Sequence, residues 1–321
     1  MPTAACGLSL SAFTHCAGPP WRGNEAQHEP QPWRQDLLRW KDLAEKNDRN
    51  IMANFLKLMA ILAHPDDESL GFGGILAKSA AEDVETYLVT ATRGERGWLG
   101  DEQAYPGVEA LGQVREAELR AAAEILGIRS VELLGYLDGE LDMADPSEAV
   151  AKIVGHLRRI RPDVVVTFGP DGIYGHPDHI AISQLTTAAI VEAASPLSPY
   201  AQRLEPHRVA KLYYMAPSED LLKAYQDVFG NLAMRIDGED RRAAAWPDWQ
   251  ITTRIDASDH WRTVWEAVRR HQTQIPASHV LERLSEEQHQ ALWGFPTYYR
   301  AFSLINSGRS VENDVFEGLR V

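Results

Sequence analysis

The feature that most limits the possible folds is a regular alternation of two patterns after residue 55. Short apolar runs typical of strands alternate with longer segments whose apolar residues recur at helical spacing. This alternation predicts parallel strands joined by right-handed helical crossovers, hence an α/β, Rossmann-like three-layer fold with a mostly parallel sheet. The predicted strands are residues 56–63, 84–92, 130–136, 163–169 and 208–216, and the predicted helices are residues 69–82 (with Ser69 as N-cap), 107–127, 146–162, 177–194 and 257–274.

Charge and composition narrow the possible partners. The net charge of -14 argues against non-specific nucleic-acid binding, which needs neutralisation of phosphates, and against an electrostatic anchor on a membrane. We find no run of about 18 apolar residues, so we expect no membrane span. The two cysteines, Cys6 and Cys16, cannot build a disulfide framework or a cysteine-type zinc site, and we expect a cytoplasmic protein.

The first fifty residues differ in composition from the rest of the chain. The stretch from residue 16 to 35 is rich in Pro, Gly and polar residues and has no sustained period. We therefore predict a disordered extension over residues 1–51 and a folded domain over residues 52–321. Two alternatives stay open: that residues 1–51 are not part of the mature protein, and, less favoured, that they include a signal peptide.

Two clusters of His and Asp follow predicted strands. "AHPDDE" occupies residues 63–68, and "GIYGHPDHIA" occupies residues 172–181. Because ligands of open α/β sheets bind outside the carboxyl ends of the strands, the two clusters can converge on one point. A single His-Pro-Asp is more often a turn, but the placement of both clusters after apolar strands favours a catalytic site.

These residue types suit a metal-assisted hydrolysis. A catalytic zinc site needs three protein ligands and one open position for water. His64 and Asp67 offer a nitrogen and an oxygen, and one of His176 and His179 can bind metal while the other faces the substrate. Asp66 is a candidate base for the water, and the spare histidine a candidate acid or oxyanion stabiliser.

A glycine-rich stretch, "GFGG" at residues 71–74, resembles part of a phosphate-binding loop. It lacks the full G-x-G-x-x-G spacing of dinucleotide-binding loops. We therefore predict that these glycines permit close packing of a helix on the sheet.

Together the motifs "AHPDDESLGFGG" and "YGHPDHIA" resemble those of the PIG-L/LmbE-like family of zinc-dependent de-N-acetylases. The resemblance extends over about residues 55–305. It implies an LmbE-like fold and removal of the N-acetyl group from an N-acetylglucosamine-type glycoside. Further segments that resemble the family are "TRGERG" at residues 92–97, "GYLDGEL" at residues 135–141 and "RRHQTQI" at residues 269–275.

The resemblance also implies roles for the residues of the first cluster and its partner. His64, Asp67 and His179 would bind Zn²⁺, and Asp66 would be the general base. Mixed nitrogen and oxygen ligation fits Zn²⁺ but also Fe²⁺, Co²⁺ or Mn²⁺.

Other matching positions receive less direct roles. His176 would stabilise the tetrahedral intermediate or protonate the leaving amine, and Tyr174 would cover the site and donate to the oxyanion. Arg93 and Asp138 would contact the sugar, although a structural ion pair and a turn, respectively, are alternatives. Glu68 would support the site by bonding to a backbone amide or a ligand, with a simple charge at a helix N-terminus as the alternative.

Several questions stay open at this level. The segment 218–253 is either a lid or rim over the substrate or an oligomer contact, and His271 is either a buried structural histidine or a site residue. An amidase of thiol–sugar conjugates or other small amides, and a non-catalytic sugar-binding protein, are alternative functions. We expect a small amino-sugar substrate as the partner, and a homo-oligomer is possible.

Overall fold

Seven strands form the central sheet of the computed structural model, and two more form a separate hairpin. The structure describes residues 55–201, 203–236, 238–275, 280–305 and 310–320. The predicted extension over residues 1–51 lies outside these ranges. The strands are β1 (Lys57–Leu62), β2 (Glu85–Thr92), β3 (Ile128–Tyr136), β4 (Val164–Thr167), β5 (Lys211–Met215), β6 (Ala233–Ile236), β7 (Glu239–Arg242), β8 (Thr253–Arg254) and β9 (Thr297–Ser303).

The order of the strands is β3-β2-β1-β4-β5-β9-β8. The first five are parallel, whereas β9 is antiparallel to both β5 and β8. Strand β1 pairs with β2 on one side and with β4 on the other, and the direction of winding reverses between β1 and β4. Such a switch point opens a crevice at the carboxyl ends of the two strands, which is where open α/β sheets bind ligands.

Helices cover both sides of this sheet, as the predicted three-layer fold requires. Helix α4 packs on α6, while α2 and α3 pack on α8. Among the described helices, none is long and apolar enough to span a bilayer. The helices are α1 (Asp67–Leu70), α2 (Gly73–Ala81), α3 (Val108–Ile125), α4 (Pro146–Ile160), α5 (Gly172–Gly175, a single distorted turn), α6 (Pro177–Ala194), α7 (Glu219–Phe229), α8 (Trp261–Val268) and α9 (Glu286–Trp293).

The predicted helix over residues 69–82 is wrong at its start. Two helices, α1 and α2, replace it, and Ser69 lies buried inside α1 instead of capping it. The carbonyl of Asp66 accepts hydrogen bonds from the N–H groups of Ser69 and Leu70. The first turn of α1 therefore begins at Asp67, two residues before Ser69. The chain therefore enters a helix directly at the acidic cluster.

The predicted helix over residues 257–274 is too long. A 3-10 turn at Ser258–His260 leads into α8, which ends at Val268. The N–H of His271 then bonds to the carbonyl of Val268 in a turn. Because the chain leaves the helix here, the His271 side chain can reach into the protein.

The glycines of "GFGG" permit close packing, Gly71 against Met215 of the sheet strand β5, and Gly73 and Gly74 against other helices. A Cβ on Gly73 would lie 2.7 Å from Cγ1 of Val264 in α8. A Cβ on Gly74 would collide with the carbonyl oxygen of Trp293, at the end of α9. These two positions therefore set how closely α2 approaches α8 and α9.

Candidate active site

Three predicted metal ligands converge at the switch point. Nδ1 of His64 lies 3.2 Å from Nε2 of His179 and 3.7 Å from Oδ2 of Asp67. Nε2 of His179 lies 3.5 Å from Oδ1 of Asp67. All three residues are buried or nearly so, and their donor atoms fit within 4.8 Å of one another. The two loops that carry them, after β1 and β4, thus meet as the sequence predicted.

The first loop is held in shape by its own carboxylate. Oδ2 of Asp67 accepts the backbone N–H groups of Ala63 at 3.2 Å and His64 at 2.8 Å. Asp66, between the two ligands, has a φ of 99°, in the left-handed region that costs a non-glycine residue about 1–3 kcal/mol. This backbone turn separates the direction of the Asp66 side chain from that of Asp67.

Two carboxylates lie within hydrogen-bonding distance of Nε2, the second ring nitrogen of His64. Nε2 of His64 lies 3.1 Å from Oδ1 of Asp138 and 3.1 Å from Oδ2 of Asp178. Asp178 also accepts the N–H groups of Gly139 and Leu141. Burial opposes ionisation of Asp138, but the hydrogen bond and charge of His64, the backbone N–H of Arg96 and the charge of Arg115 together outweigh it and lower the pKa to about 2. A histidine whose second nitrogen bonds to carboxylates is typical of metal ligands.

His176 and His179 belong to the start of α6. His176 is the N-cap: its Nδ1 accepts the N–H of Asp178 at 3.2 Å, and Pro177 follows in the first turn. The His176 ring lies 4.6 Å from the ring of His179 between centroids. Burial and the neighbouring charge of His64 lower the pKa of His176 to about 4. Because Nδ1 accepts this hydrogen bond, a neutral His176 carries its proton on Nε2.

Asp66 is bound by an arginine that the sequence analysis missed. Arg115, buried on α3, donates from one terminal nitrogen to Oδ2 of Asp66 at 3.0 Å and to the carbonyl of Pro65 at 2.7 Å. Its other terminal nitrogen donates to the carbonyl of Gly94. Burial raises the pKa of Asp66, and Arg115 opposes that rise. A signal existed: Arg115 lies four residues from both Leu111 and Leu119, on the apolar face of the predicted helix.

Glu68 and His271 form a fully buried pair behind the site. Oε1 of Glu68 lies 2.7 Å from Nε2 of His271, and Oε2 accepts the backbone N–H of Asp66 at 3.0 Å. Burial opposes the charged form of each, but their mutual attraction lowers the pKa of Glu68 and raises that of His271. Glu68 thus bonds to a backbone amide, one of its two predicted roles, and His271 is tied to the loop that carries Asp66.

Three other predicted residues lie around this centre. The ring of Tyr174 lies 5.6 Å from that of His179, and burial raises the pKa of the phenol. Arg93 is half exposed, and its Nε donates to Glu116 at 2.7 Å, which is the structural ion pair considered as the alternative. Contacts of Arg93 and Asp138 with a substrate stay predictions.

A cavity of about 250 Å³ opens beside the ligand cluster. The segment 218–253 contributes to its wall through α7 and the chain that follows it, as a rim over the site would. Whether the same segment contacts another copy of the chain stays a prediction. The cavity is lined by Asp66, Asp67, Leu70, Gly71, Phe168, Ile173, Tyr174, His179, Met215, Pro217, Leu222, Tyr225, Phe229 and Leu232.

Comparison with known proteins shows the family of the chain. The family model described as "PIG-L: GlcNAc-PI de-N-acetylase" matches residues 59–190. The 1D-myo-inositol 2-acetamido-2-deoxy-alpha-D-glucopyranoside deacetylase of Kineococcus radiotolerans is 31% identical over 322 residues, covering 88% of this chain and 89% of that protein. The enzyme of the same name from Rhodococcus jostii is 37% identical over 243 residues, covering 68% of this chain and 82% of that protein.

A solved structure supports the fold. The N,N'-diacetylchitobiose deacetylase of Pyrococcus horikoshii superimposes with a TM-score of 0.59 at 20% sequence identity, over 86% of this chain and 94% of that one. The predicted LmbE-like α/β architecture is thereby confirmed. With the match to the family model and the similarity to curated enzymes over nearly the whole length, the chain belongs to the PIG-L family of de-N-acetylases.

Proposed function

We propose that this protein is a metal-dependent hydrolase that removes the N-acetyl group from an N-acetylglucosamine-type glycoside. The observation that carries the proposal is the convergence of His64, Asp67 and His179 beside Asp66 in one cavity. The names of its relatives support a sugar with an acetamido group as the substrate. The ligand cluster and the carboxylate base are what hydrolysis of an unactivated amide requires.

The donor atoms fit a divalent metal. Two imidazole nitrogens and a carboxylate face one another at 3.2–3.7 Å, and a cation between them would satisfy all three. Two histidines and one carboxylate are a known catalytic zinc set, and the same set also suits Fe²⁺. When bound, the metal would polarise the amide carbonyl and lower the pKa of a bound water.

A second set, His64 with Asp138 and His176, also brings its donor atoms within 4.8 Å. It would use Nε2 of His64, the atom that already bonds to two carboxylates. Binding there would remove the support that orients the ring. We therefore assign the metal to His64, Asp67 and His179.

The base and the stabilising donors follow from the hydrogen bonds. Because Arg115 engages Oδ2 of Asp66, we assign the other oxygen, Oδ1, to the proton of the attacking water. Tyr174 and neutral His176 each hold a proton that can be donated to the oxyanion of the tetrahedral intermediate. His176 accordingly suits stabilisation of the intermediate better than protonation of the leaving amine.

Finer assignments complete the proposal. Zn²⁺ is the proposed resident metal and the cytoplasm the proposed location. Arg93 and Asp138 are proposed to contact sugar hydroxyls, and Glu68 to orient the loop of Asp66 through its amide bond. The homo-oligomer stays a prediction from the sequence.

The test combines metal content with amine release. The full chain is purified, its bound metal is quantified, and amine release from methyl N-acetylglucosaminide is measured before chelation, after it and after return of Zn²⁺. We expect roughly one metal per chain and chelator-sensitive release that Zn²⁺ restores. Undiminished release from metal-free protein, or bound metal without any release, would contradict the proposal.

A further inference from the structure

The cavity beside the ligand cluster is built from two kinds of surface. Four of its polar side chains, those of Asp66, Asp67, Tyr174 and His179, belong to the proposed reaction centre. The hydroxyl of Tyr225 donates a hydrogen bond to the carbonyl of Leu70, so this proton is not available to a substrate in the cavity. The other lining side chains are apolar: Leu70, Phe168, Ile173, Met215, Pro217, Leu222, Phe229 and Leu232.

A sugar ring is a poor occupant for such a wall. Each hydroxyl buried against aliphatic and aromatic carbon loses its water without gaining a partner, which weakens binding by about tenfold. The residues proposed to contact sugar hydroxyls, Arg93 and Asp138, are absent from the lining of this cavity. The sugar would therefore extend out of this cavity, and another part of the substrate would enter it.

The methyl of an acetyl group is too small to fill the space. A cavity of about 150 Å³ lined by apolar side chains already admits benzene. The cavity here is about 250 Å³. It therefore has room for a short aliphatic chain or a substituted ring in addition to the amide carbonyl.

We propose that this cavity binds an apolar group of the substrate amide, larger than methyl and up to about the size of a hexanoyl chain or a phenyl ring. The inference rests on the proposed function, since it concerns the same reaction centre. The apolar group has two possible sources: the acyl chain released as the acid, or the aglycone on the amine side. In both cases burial of its carbon against α7 and Leu232 is the source of specificity.

The experiment uses the metal-loaded full chain and two series of substrates. The first series is glucosamine acylated with acetyl, butanoyl or hexanoyl groups, and the second is N-acetylglucosamine carrying a methyl, hexyl or phenyl aglycone. We expect kcat/KM to rise about fourfold for each added methylene in one of the two series, as burial of that carbon requires. The series that rises identifies the source of the apolar group.

A cavity-filling variant connects the effect to this wall. In the wild-type chain, kcat/KM for the best apolar substrate is divided by kcat/KM for the smallest member of the same series. Leu232→Trp is expected to lower this ratio by at least tenfold. Met234→Trp is the matched control, because Met234 is two residues away and does not line the cavity. It should keep the whole profile.

The outcomes separate the two proposals. Hydrolysis of the acetyl substrate with a flat or falling profile in both series would overturn the cavity inference alone, and the profile of the wild-type chain decides this even when no variant folds. A rising profile that Leu232→Trp and Met234→Trp alter equally would also overturn it. Absence of amine release from every substrate, with metal bound, would overturn the proposed function and this inference with it.

Discussion

The two halves of the described chain contribute to the site in different ways. Residues 55–201 supply four of the five parallel strands and every proposed metal ligand, base and oxyanion donor, all in the segments that follow β1 and β4. Residues 203–320 supply the fifth parallel strand, β5, the antiparallel edge, most of the apolar wall of the cavity and the buried His271. The first half therefore holds the proposed reaction centre, and the second half shapes its surroundings.

The largest expected effect tests the first half. Asp66→Asn keeps the size of the side chain and its bond to Arg115 but removes the basic oxygen. We expect kcat to fall by about 10³-fold while bound metal stays unchanged. Metal analysis and amine release are measured together, with Asp142→Asn, an exposed aspartate, as the control. Turnover within tenfold of the wild type would remove Asp66 from the role of base.

The next largest effect is expected for His271, which the second half of the chain contributes to the buried pair with Glu68. His271→Ala leaves the Glu68 carboxylate buried without its partner, which we expect to cost about 3–5 kcal/mol in the free energy of unfolding. Denaturant melts measure this change. The double variant Glu68→Gln/His271→Gln removes both charges and should recover much of the loss.

Activity at saturating substrate then distinguishes positioning from mere stabilisation. If the pair orients the Asp66 loop, the folded double variant should show a lower kcat at an unchanged KM. A double variant with wild-type kcat would show that His271 contributes only to stability. The reaction would then depend on side chains of the first half alone.

A smaller effect is expected for the carboxylates behind His64. Asp178→Asn weakens the bonds to His64 and to the N–H groups of Gly139 and Leu141. Loss of such support lowers metal affinity by about 10–100-fold. Competition with a chromogenic chelator measures the affinity, and Asp142→Asn again serves as the control. Unchanged affinity would argue for the alternative ligand set.

The smallest effect is expected for Arg93, which follows strand β2. Arg93→Gln removes an exposed ion pair with Glu116, worth at most about 1 kcal/mol of stability. If Arg93 also contacts the sugar, KM should rise at least about threefold, since a hydrogen bond to a charged group is lost. Arg120→Gln is a matched control, because Arg120 bonds to the same glutamate. Equal KM values in both variants would leave Arg93 as a structural residue.

Much of the first half could be predicted because its signals are local. The apolar runs of β1 and β4 and the two His-Pro-Asp clusters lie within short windows, and the direction of parallel strands brings their ends together. The break between α1 and α2 was missed because it depends on backbone bonding, in which the N–H groups of Gly71 and Phe72 both bond to the carbonyl of Asp67. Propensity alone does not distinguish a continuous helix from two short ones.

The second half was harder to predict because its contacts are distant in sequence. Leu222 and Tyr225 have the spacing of an ordinary amphipathic helix, and nothing local indicates that they face a cavity beside Asp66. Arg115 and His271 reach the same loop from positions 49 or more residues away. The antiparallel strand β9 follows a segment without strong alternation, and its pairing with β5 and β8 reveals it.

One consequence concerns the separation of the metal ligands along the chain. His64 and His179 are 115 residues apart, so an unfolded chain contains only two weak half-sites. A metal that binds the assembled site therefore shifts the folding equilibrium, by about 4 kcal/mol when its free concentration is a thousand times the dissociation constant. The thermal midpoint would then depend on metal supply, and the abundance of the protein in a cell would follow the availability of the ion.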